Sequence, residues 1–142
     1  THRSRVARSL TAGLQLMGTT DIRFITPPPL QTDHIEPPEG ITPMDIEQGL
    51  QDADVIVCLR VQQERIDSSS THIDQATYFK HYGLTTEKLA WAKPHAIVLH
   101  PGPINRGFEI ESSVADGDQS VILQQAKNSI PMRMAILEAL LN

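Results

Sequence analysis

Asp54-Val55-Ile56-Val57-Cys58-Leu59 is the stretch that sets the fold class. Its apolar run is uninterrupted and rich in β-branched residues, the pattern of a parallel strand covered on both faces. Arg60-Val61-Gln62-Gln63-Glu64-Arg65 follows directly, so Arg60 and Gln62 stand one alternation apart just past a strand end. In open parallel sheets that edge is where ligands bind. The plain alternative is a surface pair between Arg60 and Glu64, which would contribute little. A second short apolar run, Ala96-Ile97-Val98-Leu99, reads as another buried strand. It turns at once into His100-Pro101-Gly102-Pro103-Ile104-Asn105-Arg106-Gly107. Two prolines fix φ and remove two N–H donors, so the turn offers mainly carbonyl oxygens. A stiff, acceptor-rich turn suits a ligand that donates hydrogen bonds, such as an –NH2 group. Pro-Gly pairs also mark ordinary turns, and both readings stand at this point.

Outward from these strands, the periodicity predicts helices in alternation. Residues 4–17 place Val6, Leu10, Leu14 and Met17 at helical spacing, with Ser4 as N-cap and Gly18 at the C-terminal end. Arg5 then lies in the first turn, where a cation opposes the helix dipole unless an anion binds there. Alternatively, Arg5 extends into water. Asp21–Thr26 reads as a short strand stopped by Pro27-Pro28-Pro29, and residues 27–41 as a proline-rich loop. Thr42-Pro43-Met44-Asp45 predicts a helix start, with Thr42 as cap, running to about Gln51. Residues 66–72 read as a polar loop, 74–82 as a helix ending at Gly83, and Thr85 or Thr86 as the cap of another through Trp91. Trp91 and Tyr82 read as packing residues. Past the turn, Asp116-Gly117 marks a bend and Ser120 a cap. Pro131 is expected to break or kink the helix that follows, and Met132, Ile136, Leu137 and Leu140 to pack a closing helix into the core. Helix and strand alternate throughout, which indicates an α/β fold with a mainly parallel sheet. No strand precedes the first helix, so the chain reads as part of a larger protein.

Composition bounds the function. The chain has 142 residues, 39% hydrophobic and 20% charged, ordinary for one globular domain. Aromatics are 4%, so the core is expected to be aliphatic. The net charge of −5 argues against a nucleic-acid binder, although Arg3, Arg5 and Arg8 form a local basic cluster. No apolar run is long enough for a transmembrane helix and no signal peptide is visible. The single Cys58 cannot form an internal disulfide, and a cytoplasmic protein fits. There is no G-x-G-x-x-G, P-loop or G-x-S-x-G, and the six histidines show no zinc spacing. What remains is a convergence of Arg5 at a helix start, Arg60 and Gln62 at one strand end, and Pro101-Gly102-Pro103 with Arg106 at another. Arginines bind carboxylates bidentately, so the set suits a small dicarboxylate beside an amide-like group.

At these residues the chain resembles the C-terminal, aspartate-binding half of the aspartate carbamoyltransferases. The matching motifs are Ser4-Arg5-Val6-Ala7-Arg8-Ser9, Leu59-Arg60-Val61-Gln62-Gln63-Glu64-Arg65, His100 through Gly107, and Val114-Ala115-Asp116-Gly117 with Ser120-Val121-Ile122-Leu123. They occur in family order over essentially the whole chain. The related ornithine enzymes carry His-Cys-Leu-Pro at the turn, so this sequence looks like the aspartate type. Arg3 stands where the family often has histidine, and Gln63 where lysine is common.

The resemblance implies a Rossmann-like open parallel sheet with helices on both faces, the second domain of the aspartate/ornithine carbamoyltransferase fold. Residues 1–142 would be the L-aspartate-binding domain, with a first strand and a carbamoyl-phosphate domain upstream. It implies transfer of the carbamoyl group from carbamoyl phosphate to L-aspartate, giving N-carbamoyl-L-aspartate and phosphate in pyrimidine synthesis. Arg5, Arg60 and Gln62 would hold L-aspartate, and the carbonyls of Pro101, Gly102 and Pro103 the carbamoyl amino group. No metal, cofactor or covalent intermediate is implied. The expected partners are the N-terminal half, which supplies most phosphate contacts, and a homotrimer of catalytic chains, with regulatory or dihydroorotase chains as options. These residues alone would be inactive. The alternatives are a non-catalytic paralogue acting in assembly or regulation, and a carbamoyltransferase for another amine.

Overall fold

The computed structural model describes residues 4–27, 41–61 and 74–141. Helix α1 (Arg5–Leu16) begins where Ser4 Oγ accepts the Ala7 N–H at 3.3 Å. It ends at Gly18, whose φ of +84° lets the chain reverse. The Gly18 N–H donates to Gln15 O and the Thr19 N–H to Leu14 O, both at 2.9 Å, closing the last turn. Its buried positions are Ala7 and Thr11; the expected stripe of Val6, Leu10 and Met17 is exposed. The buried line is displaced to the side of the helix carrying small side chains, a choice the apolar spacing alone did not make.

Strand β1 (Ile22–Ile25) pairs in parallel with β2 (Ile41–Met44), in the register Ile22↔Ile41 to Ile25↔Met44. Strand β2 corrects the expected helix start at Thr42 and Pro43. Proline fits a strand with a single ladder, because its missing N–H can fall on the unpaired side. The cap role passes to Asp45, whose Oδ1 accepts the Gln48 N–H at 2.8 Å and opens α2 (Ile46–Leu50). Helix α2 lies flush on β1: a Cβ added to Gly49 would stand 2.5 Å from Ile25 Cγ1. Most of the proline-rich segment, residues 28–40, and the polar loop read at 66–72 lie outside the described residues.

Strand β3 (Val55–Val57) pairs in parallel with β4 (Ile97–Leu99), in the register Val55↔Ile97 to Val57↔Leu99. Among the described residues the parallel structure is thus two strand pairs, β1–β2 and β3–β4, with no ladder between them. One apolar cluster nevertheless spans both, since Ile25 and Ile46 pack against the core of Leu50, Ile56, Val98 and Ile110. On its other side β4 meets residues 119–121: the Val98 N–H donates to Gln119 O at 2.8 Å, and the Val121 N–H to Val98 O at 3.0 Å. Val98 is therefore fully buried, whereas Val55 is 51% exposed, so β3 is not covered on both faces along its length.

Asp74 caps α3 (Gln75–Tyr82), which ends at Gly83, and Thr85 caps α4 (Thr86–Leu89). Trp91 packs against the core, and the Tyr82 and Tyr78 rings lie 5.6 Å apart, packing roles in both cases. After α5 (Ser112–Ala115) the chain ends in α6 (Ile122–Leu141). Ser120 is not at its start; it pairs with Val98 in a parallel bridge. Pro131 does not divide α6, which continues through it. Losing one intrahelical bond is tolerated when the turns on both sides persist. Met132, Ile136, Leu137 and Leu140 are 50–77% exposed, so the expected core packing is absent here. Their spacing makes an apolar face without saying which chain segment would cover it.

Candidate functional site

The parallel register of β3 and β4 brings two segments off the sheet at the same edge. The Cys58 N–H continues the ladder, donating to Leu99 O at 2.9 Å. Two residues further on, one segment places Arg60, partly buried, beside the buried Val61. The other places Pro101, Gly102 and Pro103, all exposed, directly after the buried His100. Arg60 and the Pro-Gly-Pro turn therefore share one strand-end edge, as their sequence positions predicted. Arg5 is the first residue of α1, exposed, on the helix that leads into the other strand pair. Gln62 lies outside the described residues.

The turn is fixed from beneath. The His100 N–H donates to Gln125 Oε1 of α6 at 3.1 Å. The Gly102 N–H donates to His100 Nδ1 at 2.8 Å, so that nitrogen carries the lone pair and Nε2 carries the hydrogen. Nε2 faces Glu109 Oε1 at 3.2 Å, and the same oxygen accepts the Asn105 N–H at 2.6 Å. His100 and Glu109 side chains are 0% and 3% exposed. Glu109 is anchored in turn by its main chain, since Leu84 N–H donates to Glu109 O at 3.0 Å. One buried carboxylate thus ties down both ends of the segment from residue 100 to 105. Gly102 holds φ at +72° with open space where a Cβ would stand, so backbone conformation, not crowding, calls for glycine. The Gly102–Pro103 peptide is cis.

Glu109 also colours its surroundings. Burial, then the Glu109 charge, pushes the Cys58 thiol up to about 12. The Tyr78 phenol is raised first by burial and then by the Glu109 charge, with Cys58 and Tyr82 adding to it, and its ring lies 4.9 Å from that of Phe108. Arg106, read with the turn as a candidate for the crevice, instead makes a bidentate pair with Asp116 at 2.6 and 2.8 Å. That guanidinium holds the Asp116 carboxyl below its ordinary range. Among the described residues no group of three or more His, Cys, Asp or Glu side chains is placed to hold a metal ion. Sequence reasoning missed the His100–Glu109 pair. The available signal was an acid, Glu109, set between the apolar Phe108 and Ile110 just after the turn.

Comparison with known proteins identifies the family. The family model for the aspartate/ornithine carbamoyltransferase Asp/Orn binding domain matches residues 2–140. The chain belongs to that family. It is 50% identical over 140 residues to the aspartate carbamoyltransferase catalytic subunit of Ruthia magnifica, covering 98% of this chain and 43% of that protein. The Vesicomyosocius okutanii catalytic subunit is similar to the same extent. The chain thus spans less than half the length of these curated relatives. In fold it is similar to ornithine carbamoyltransferase from Burkholderia thailandensis, with a TM-score of 0.70 at 21% identity over 89% of this chain and 40% of that one. It is also similar to aspartate transcarbamoylase from Trypanosoma cruzi, solved with carbamoyl aspartate and phosphate. There the TM-score is 0.69 at 21% identity over 92% of this chain and 44% of that one. These structural likenesses establish an α/β fold shared with those enzymes.

Proposed function

We propose that the chain is the L-aspartate-binding domain of an aspartate carbamoyltransferase. The protein containing it would join the amino nitrogen of L-aspartate to the carbonyl carbon of carbamoyl phosphate. The C–O bond to phosphate breaks, the amine gives up a proton, and N-carbamoyl-L-aspartate and phosphate leave. The observation that carries this reading is the shared edge of β3 and β4, where the segment bearing Arg60 and a turn poor in donors leave the sheet together. Half-identity to aspartate carbamoyltransferase catalytic subunits along nearly the whole chain supports aspartate over ornithine as the acceptor.

In this reading Arg5 and Arg60 bind the two aspartate carboxylates, and Gln62 helps orient the molecule. The carbonyls of Pro101, Gly102 and Pro103 accept from the carbamoyl amino group. Catalysis comes from positioning two substrates and stabilising charge, with no covalent intermediate. Phosphate contacts would come from the N-terminal half. Assembly as a trimer, a place in pyrimidine synthesis and a cytoplasmic setting belong to the same proposal; no helix among the described residues is long and apolar enough to cross a membrane.

The test is carbamoyl transfer by the full-length protein, with aspartate and ornithine as competing acceptors. Product from aspartate is expected. Product from ornithine alone, or none with either, would overturn the reading.

A further inference from the structure

The turn contains one backbone donor. Pro101 and Pro103 have no N–H, so Gly102 supplies the only one of the three residues, and it is spent on His100 Nδ1 at 2.8 Å. What the turn has left is three carbonyl oxygens and no N–H. His100 can do this in one tautomer only, with Nδ1 bare and Nε2 protonated. Glu109 Oε1, 3.2 Å from Nε2 and buried with it, favours that tautomer by accepting the Nε2 hydrogen. The Asn105 N–H on the same oxygen and Gln125 on the His100 N–H hold the histidine in register with the turn.

We propose that His100 is a positioning residue that masks the single donor of the Pro101-Gly102-Pro103 turn, so that the turn selects a ligand group that donates hydrogen bonds. This rests on the reading that the turn receives the carbamoyl amino group. A free Gly102 N–H would compete for the wrong end of that group, favouring its carbonyl or a phosphate oxygen. His100 touches neither substrate; it acts through Gly102. Glu109 acts one step further back, through His100.

The test uses the full-length protein and two substitutions that divide the imidazole between them. In His100→Asn the amide oxygen takes the place of Nδ1 and keeps the Gly102 bond while losing Glu109. In His100→Gln the amide nitrogen takes the place of Nε2 and keeps Glu109 while leaving Gly102 without its acceptor. Hydrogen exchange at the Gly102 amide reports the masking directly, and KM for each substrate reports its consequence. The expected result is exchange protection and carbamoyl phosphate KM near wild type for asparagine. For glutamine, protection is lost and carbamoyl phosphate KM rises about tenfold, the cost of one unsatisfied donor, with aspartate KM changed much less. Equal impairment of the two variants would overturn the proposal, because a merely structural histidine predicts it. If His100→Gln does not fold, His100→Met, which also lacks an acceptor for Gly102, makes the same comparison. Gly102→Ala separates the two levels of inference, since alanine cannot hold this φ without strain. If Gly102→Ala raises carbamoyl phosphate KM and His100→Gln does not, His100 has no positioning role and the reading of the turn survives. If neither raises it, the turn does not bind carbamoyl phosphate and both fall.

Discussion

Arg60 owes its place to the register of β3 against β4, which delivers it to the same edge as the Pro-Gly-Pro turn. With a carboxylate as its ligand, Arg60→Ala removes a charge-assisted bond of about 1.5–3 kcal/mol, so aspartate KM should rise about ten- to a hundredfold. Steady-state kinetics on the full-length protein, with a melting curve to show the fold intact, checks this; unchanged aspartate KM would remove Arg60 from the site. Cys58, two residues earlier, should be silent. Its thiol is pushed up to about 12, so almost no thiolate exists at neutral pH and alkylation should be slow until the protein is unfolded. A thiol-reagent time course with and without denaturant measures the contrast. These two residues also show what the sequence could carry. The place of Arg60 at a strand end was legible because alternation past a buried strand is a local signal, and the shortage of donors in the turn was legible because it is a property of proline itself. His100 and Glu109 were not, because their contact closes across eight intervening residues, with the Glu109 main chain held by the distant Leu84 N–H.

At the scale of elements, the α3–α4 corner is held by a side chain that no spacing rule marks. Lys88 Nζ reaches back to the end of α3, donating to Lys80 O at 2.9 Å and Gly83 O at 2.8 Å. These are carbonyls at a helix C-terminus, where a cation is favoured. Partial burial lowers the Lys88 pKa, the sign of an ammonium that has given up water for carbonyl oxygens. Lys88→Met keeps the aliphatic stem and removes the charge, and should cost about 1–2 kcal/mol, read from urea midpoints of wild type and variant at equal slope. The helix ends were the legible part of this corner: α3 stops at Gly83 as read, and of the two threonines offered as a cap it is Thr85 that acts. The Thr42-Pro43 segment was not legible for a related reason. Proline suits both the first turn of a helix and a strand with an open edge, and pairing with β1 decided between them. On α6 the apolar spacing marked helix on both sides of Pro131, yet the two stretches form one helix and its only buried residue is Ile122. Periodicity reports that a face is apolar; what covers it is a property of the assembled molecule.

Across the whole molecule, ionisable groups of two kinds set a window of pH stability. Asp21, Asp54 and Asp116 lie below the ordinary carboxylate range because Arg23, Lys93 and Arg106 hydrogen-bond their charged forms. A depressed folded pKa gives stability that is present above the unfolded value and lost as pH falls through the folded one. Cys58 has the opposite sign. Its folded pKa is raised, so the fold favours the neutral thiol, and stability is lost as pH climbs from the unfolded value of about 8.5 toward about 12. The acid arm is the weaker, because all three carboxylates are at the surface, where solvent and salt screen the pairs. Differences between variants isolate each arm from every other titration in the protein. The melting-temperature gap between wild type and Asp116→Asn should be open at pH 6, narrow as pH falls below the ordinary carboxylate range, and be smaller at pH 6 in high salt. The difference in unfolding free energy between wild type and Cys58→Ala should fall steadily between pH 8 and 10.5, by up to about 1.4 kcal/mol per pH unit. A Cys58 gap that stays constant over that interval would mean the thiol ionises as freely in the folded protein as in the unfolded chain. In that case neither burial nor Glu109 would be shaping the floor beneath the Pro-Gly-Pro turn.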